Sequence, residues 1–239
     1  MRELLVLEGG TMKSVNQSIQ NLTDQGGNET DPGKEHYHHG DLPETLMMLA
    51  LAHIQQQGTE KLSLRALARE AGVSPTAPYK HFPTKQCLLA ALATQGFEDL
   101  ANRTSDIIQN TPDLRERVVA MGLGYINFAI ENPTAYHLMF GSVLGDFSEY
   151  EMLRNAAVSS YDQVQKVLRE VVQEHDLETD VDQLGGVVWA FVHGFAALMI
   201  DNISIGGADA GPMRSIASLQ QDPEAALRMM IDPLFNRLN

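Results

Sequence analysis

The chain is poor in the residues that staple or metallate small proteins. Its one cysteine, Cys87, has no internal partner, and no Cys/His arrangement has zinc-finger spacing. A secreted disulfide scaffold and a zinc finger are excluded, and a reducing compartment suits the composition. Aromatic residues make up only 6% of the chain, with a single tryptophan, Trp189. β-Branched residues seldom alternate with polar ones, so the period-two signature of a half-buried strand is missing. Long apolar runs are scarce as well. The run Leu4-Leu5-Val6-Leu7 falls short of the ~7–15-residue apolar region of a secretory signal. The longest uncharged stretch, Gln183 to Ile200, only reaches the ~18-residue length of a membrane span. Its Gln183, His193 and three glycines read as a buried core helix of a cytoplasmic protein.

Positive charge is also in deficit. Seventeen Lys and Arg stand against 31 Asp and Glu, a formal net charge of −14, which on average repels nucleic acid. The average conceals a local reversal: between residues 61 and 85, Lys61, Arg65, Arg69, Lys80 and Lys85 meet Glu70 alone. Solvated helix faces usually mix both signs, so this basic island marks a polyanion-facing surface.

Residues 1–40 are polar and rich in Gly, Asn, Gln, Ser, Thr and Asp, too little apolar surface to offset the entropy of ordering, and read as a disordered tail. From Asp41 onward the period is helical. Pro43 and Glu44 open a helix over 42–57, with Leu46, Leu49, Ala50, His53 and Ile54 at three- and four-residue steps and Gly58 as its stop. Ser63 caps a second helix over 64–71, whose Arg65 and Arg69 share the outer face. Gly72-Val73 ends it, and Ser74 with Pro75 begins a short third helix closed by Phe82-Pro83. Pro78 falls where that helix would make its first internal hydrogen bond, so its start should be tight or irregular. Thr84 caps a fourth helix, and further helices are expected over 113–131, 133–141, 149–175, 181–205 and 222–237. The fold class is all-α: an N-terminal three-helix helix-turn-helix domain, 41–90, and a larger C-terminal helical bundle, 91–239, to which the family resemblance described below assigns ligand binding and dimerisation.

The second helix of such a motif enters the major groove while the first crosses the backbone. Thr76 offers a hydroxyl and a methyl to a base edge, Ala77 a contact for a thymine methyl, and Lys80 a charge for guanine or phosphate. Ser74 and Pro75 stand at the leading end. Tyr79, His81 and Lys85 are placed for phosphates, with Ser63 and Arg65 on the opposite backbone. The string from Leu62 to Ser74, continuing Pro75-Thr76-Ala77-Pro78-Tyr79-Lys80-His81-Phe82-Pro83-Thr84-Lys85, closely resembles the DNA-binding domain of the TetR family of bacterial transcriptional regulators. That resemblance assigns Pro75, Thr76 and Ala77 to bases and Tyr79, His81 and Lys85 to phosphates. Trp189 and His193, four residues apart with Gly194 following, resemble a Trp-x-x-x-His-Gly subgroup of the same family.

The resemblance implies a pocket in the bundle for a small, largely apolar effector. Candidate lining residues are Tyr125, Phe128, Tyr136, Met139, Phe140, Tyr161, Trp189 and His193. Gly186, Ala190, Gly194 and Ala197 form a small-residue stripe that lets another helix approach closely. The family implies that this partner is a second subunit, giving a homodimer suited to a palindromic double-stranded DNA operator. The expected function is a repressor released by its effector, with no catalytic residue, cofactor or metal. His36, His38 and His39 look metal-like but lie in the polar tail without further ligands. The acidic run Asp176 to Asp182 fails as a calcium loop, because Val181 takes its glycine position. The competing reading is a helical small-molecule-binding protein or enzyme with a vestigial helix-turn-helix.

Overall fold

The structure, a computed structural model, describes residues 42–201 and 211–235. The tail 1–40, with its three histidines, and the expected helix ends beyond 201 and 235 lie outside the described residues. Among the described residues there are nine α-helices and no strand, and the chain is all-α as its period demands. The helices are α1 Leu42–Gln57, α2 Leu64–Glu70, α3 Lys85–Asn110, α4 Leu114–Glu131, α5 Pro133–Phe140, α6 Glu151–Glu174, α7 Val181–Ile200, α8 Gly211–Gln221 and α9 Pro223–Phe235.

Side-chain caps set several starts. Thr84, Asp113 and Asp180 each accept a backbone N–H from the first turn of α3, α4 and α7, satisfying donors that the helix itself leaves unpaired. Ser63 sits at the cap position of α2 with extended backbone, but its hydroxyl makes no capping bond. The loop after α2 turns at Gly72, whose φ of +69° is left-handed, a conformation most side chains resist.

The expected third helix is a single 3-10 turn, Ala77–Lys80. Pro78 supplies the reason. In an α-helix the residue-78 N–H would bond the Ser74 carbonyl, and proline has none. That carbonyl instead accepts from Ala77 N–H at 3.0 Å, which tightens the turn to three residues. Pro78 and Phe82 are buried, and Phe82 shares a core with Leu46, Leu64 and Leu67.

The helical unit of α1, α2 and the 3-10 turn packs on the first half of α3, and the bundle packs on the remainder. One continuous core runs through this joint, from Leu46 and Leu67 through Leu88 and Leu92 to Phe128, Leu138 and Leu153. Residue 90 is therefore not a break: α3 crosses it without interruption. A second core joins α4, α6, α7 and α9 through Val119, Val171, Val192, Phe195 and Leu227. Exposed ion pairs fasten α9 to α4, with Arg228 bidentate on Glu116 and Arg115 on Asp232.

α7 departs from its expected role. It is long and apolar enough to cross a membrane, yet only 33% of its apolar window is buried. One side packs through Leu184, Val188, Val192, Phe195 and Ala196, while Gly186, Val187, Ala190 and Gly194 face outward. It is a half-buried helix with an apolar outer face.

Candidate DNA-binding surface and effector cavity

The basic island emerges as an exposed surface. Arg65, Arg69, Ser74, Pro75, Thr76, Tyr79, Lys80 and His81 are all exposed, as is Ser63, whereas Ala77 and Lys85 are half-buried. Ser74 and Thr76 hydroxyls lie 3.3 Å apart, joining the two residues at the tip of the turn. Lys85 Nζ donates to the Thr59 carbonyl at 3.2 Å, which holds its ammonium beside the start of α3. Glu70, the sole acid of the island, accepts from His53 Nε2 at 2.7 Å, so its carboxylate is turned toward α1. The exposed tip thus carries donors and cations, the equipment for phosphates and base edges.

The second feature is a cavity of about 400 Å³ inside the bundle. Most of its wall comes from five helices: Phe97, Leu100 and Thr104 of α3; Val118, Met121 and Tyr125 of α4; Met139 and Phe140 of α5; Ala157, Ser160 and Tyr161 of α6; and Val188, Trp189 and Val192 of α7. Phe147 and the α9 residue Ile231 also contribute. No lysine, arginine, aspartate or glutamate is among these lining residues. Tyr161 and Trp189 are 37% and 43% exposed, which sets the mouth between α6 and α7.

Five of the residues expected at the effector site line this cavity: Tyr125, Met139, Phe140, Tyr161 and Trp189. Tyr136 and His193 stand directly behind Tyr125. Tyr136 Oη is 2.7 Å and Tyr125 Oη 3.0 Å from His193 Nδ1, and the Tyr136 and His193 rings stack at 5.4 Å. Burial pushes the Tyr136 phenol up to about 12 and raises that of Tyr125 further, so both remain protonated. Burial also lowers His193, favouring neutral imidazole. Phe128 does not belong to the site. At 2% exposure it fills the core beneath the Arg103 guanidinium, which lies 6.0 Å from its ring centre.

Several wall residues escaped the sequence reading, chiefly Phe97 and Leu100 on α3 and Val164 and Leu168 on α6. Their apolar spacing is that of any core-facing stripe, so no local signal separates them. Gly185 is another. A Cβ there would stand 2.5 Å from Gln165 Nε2 and 2.7 Å from Tyr161 Oη. Its absence admits the Gln165-to-Tyr161 hydrogen bond of 2.9 Å at the mouth.

The molecule is thus defined as a helix-turn-helix protein with a cavity-bearing helical bundle. Residues 46–92 match the model of bacterial regulatory proteins of the tetR family, and residues 118–232 match a tetracyclin repressor-like C-terminal domain. The chain belongs to the TetR family and is a DNA-binding transcriptional regulator with a ligand-binding C-terminal domain. It is 28% identical over 144 residues to the nucleoid occlusion factor SlmA of Marinomonas sp. (strain MWYL1), spanning 60% of this chain and 72% of that one. A solved protein of unknown function from Rhodococcus sp. RHA1 is 30% identical with a TM-score of 0.65, covering 80% of this chain and 97% of that one. The FadR regulator of Bacillus subtilis, solved in complex with stearoyl-CoA, shares the fold at 12% identity and a TM-score of 0.60, covering 82% and 99%.

Proposed function

We propose that the protein is a homodimeric, cytoplasmic repressor that leaves a palindromic operator when a small, largely apolar effector enters the bundle cavity. The observation that carries this reading is α3. It begins at the basic tip with Thr84 and Lys85 and continues into the cavity wall with Phe97, Leu100 and Thr104. An effector that fits one arrangement of that wall better than another shifts the population of both domains together, and only through such differential affinity.

In this reading Pro75, Thr76 and Ala77 face bases, with Ser74 at the tip and Lys80 reaching guanine or phosphate. Tyr79, His81 and Lys85 hold one backbone, and Ser63 and Arg65 the other. The dimer forms through the outer face of α7, where Gly186 and Gly194 have nothing within 4 Å of an added Cβ and Ala190 is exposed. Ala197 is half-buried and marks the edge of that face. Tyr125, Met139, Phe140, Tyr161 and Trp189 touch the effector, with Tyr136 and His193 setting the polar end. Trp189, His193 and Gly194 also support the Trp-x-x-x-His-Gly subgroup.

Selection of binding sites from random duplex DNA by the purified protein tests the reading. An enriched palindrome, lost when a metabolite extract is added, is the expected outcome. Binding without sequence enrichment overturns it.

A further inference from the structure

Two phenols converge on one imidazole nitrogen. His193 Nδ1 makes a single in-plane hydrogen bond in either neutral tautomer, as acceptor or as donor. Tyr136, at 2.7 Å, is the closer partner. Tyr136 also reaches the His193 carbonyl at 3.3 Å, so its own hydrogen has an acceptor in both cases. Tyr125 stands differently. Its oxygen lies 3.0 Å from the same nitrogen, but Tyr136 can serve that nitrogen alone, so the Tyr125 hydrogen can turn to a ligand without leaving the imidazole unpaired; its other acceptor, the Tyr136 oxygen at 3.4 Å, is beyond the ~2.5–3.0 Å of a good O–H···O bond. Tyr125 itself lines the cavity.

Three further hydroxyls line the wall, those of Thr104, Ser160 and Tyr161. The Thr104 hydroxyl donates to the Leu100 carbonyl at 2.9 Å, and the Tyr161 hydroxyl, at the mouth, accepts from Gln165. No charged side chain is among the lining residues, so an ionised ligand would shed its hydration with no opposite charge to meet it.

The geometry points to an uncharged lipophile with one hydrogen-bond-accepting oxygen, such as a ketone, ester or ether, seated so that Tyr125 donates its phenolic hydrogen to that oxygen. Anionic acyl chains and lipophilic cations are the ligands this cavity rejects. The inference rests on the effector role of the cavity and narrows it to a chemical class.

Four probes of similar hydrocarbon length test it: undecan-2-one, undecane, decanoate and decyltrimethylammonium. Each is titrated at pH 7.5 against the full-length protein, with the fluorescence of Trp189, the chain's one tryptophan, as readout. The ketone should bind roughly threefold to tenfold tighter than undecane, the range expected for one added neutral hydrogen bond, and both ions should bind more weakly than the ketone. The carbonyl infrared stretch of bound ketone should lie below its value in hexane. In Tyr125→Phe that stretch should return to the hexane value, and the ketone-to-alkane ratio should fall toward one.

Either ion binding as tightly as the ketone overturns the neutral class. A hexane-like stretch in the wild type, or an unchanged ratio in Tyr125→Phe, overturns the Tyr125 assignment. The wild-type ranking and stretch decide the matter even if the variant fails to fold. Binding of none of the four removes the effector role of the cavity, a failure distinct from a wrong ranking.

Discussion

Tyr136 Oη and His193 Nδ1 lie 2.7 Å apart, and the phenol ring stacks on the imidazole at 24°. The pair stands behind Tyr125 and is not itself among the residues that line the cavity. Burial lowers His193 below its ordinary value of 6.5, so near and below that pH the unfolded chain takes up a proton more readily than the folded one. Stability should therefore fall as pH drops from 6.5 through the lowered folded-state value, and level off beneath it. Thermal melts between pH 7.5 and 5 check this: His193→Gln should show a shallower acid-side loss than wild type.

At the basic tip, Lys80→Ala should weaken binding to all duplex sequences alike and reduce the slope of log affinity against log salt by about 1. Thr76→Val should instead alter the preferred base at one position of each half-site, at about 1–3 kcal/mol per site. Fluorescence anisotropy on operator and scrambled duplexes at several salt concentrations separates the two effects. An unchanged salt slope for Lys80→Ala would remove that residue from the DNA surface.

Gly72→Ala should destabilise the helix-turn-helix by roughly 1–2 kcal/mol through backbone strain alone. A Cβ at this position meets nothing within 4 Å, while φ is +69°. Differential scanning calorimetry should show a lower transition, and Gly72→Asn should lose less, since asparagine tolerates the left-handed region better.

Gly185→Ala acts by a different route. Its backbone φ is not in the left-handed range, but the added methyl overlaps Gln165 and Tyr161. The variant should break the Gln165–Tyr161 hydrogen bond, displace the Tyr161 ring at the mouth and change affinity for apolar ligands several-fold, read from Trp189 fluorescence. Ligand binding equal to wild type would show that Tyr161 yields without consequence.

Gly194→Glu and Ala190→Glu should each convert the proposed dimer to monomer in sedimentation equilibrium. They place a charge on the open face of α7 and not in the folded core. Operator affinity should fall with them, because two half-sites one helical turn apart need paired recognition turns.

Much of the fold was legible because its signals are local. Proline and capping residues place the starts of α3, α4, α5 and α9 within a residue or two of expectation, and the uneven distribution of charge exposes the DNA surface in an acidic chain. The short recognition element was read as a helix; Pro78, whose missing N–H forces a 3-10 turn, carried the warning. α8 falls between the helices expected over 181–205 and 222–237, where no helix was read. In the bundle the sequence could not tell cavity wall from core, because Phe97 and Phe128 sit in equally apolar helical stripes and only packing puts one at the void and the other beneath Arg103. The half-exposure of α7 was illegible for the same reason: hydropathy records what could be buried, not whether a neighbour covers it.

α3 spans 26 residues, a rod of about 39 Å. Its one glycine, Gly96, provides no pivot, since Met139 Sδ would stand 2.6 Å from a Cβ there. Strain introduced around Phe97 and Leu100 therefore has no joint in which to dissipate. On the proposed reading it would travel along the shaft and displace Thr84 and Lys85, with no flexible linker needed to carry the signal.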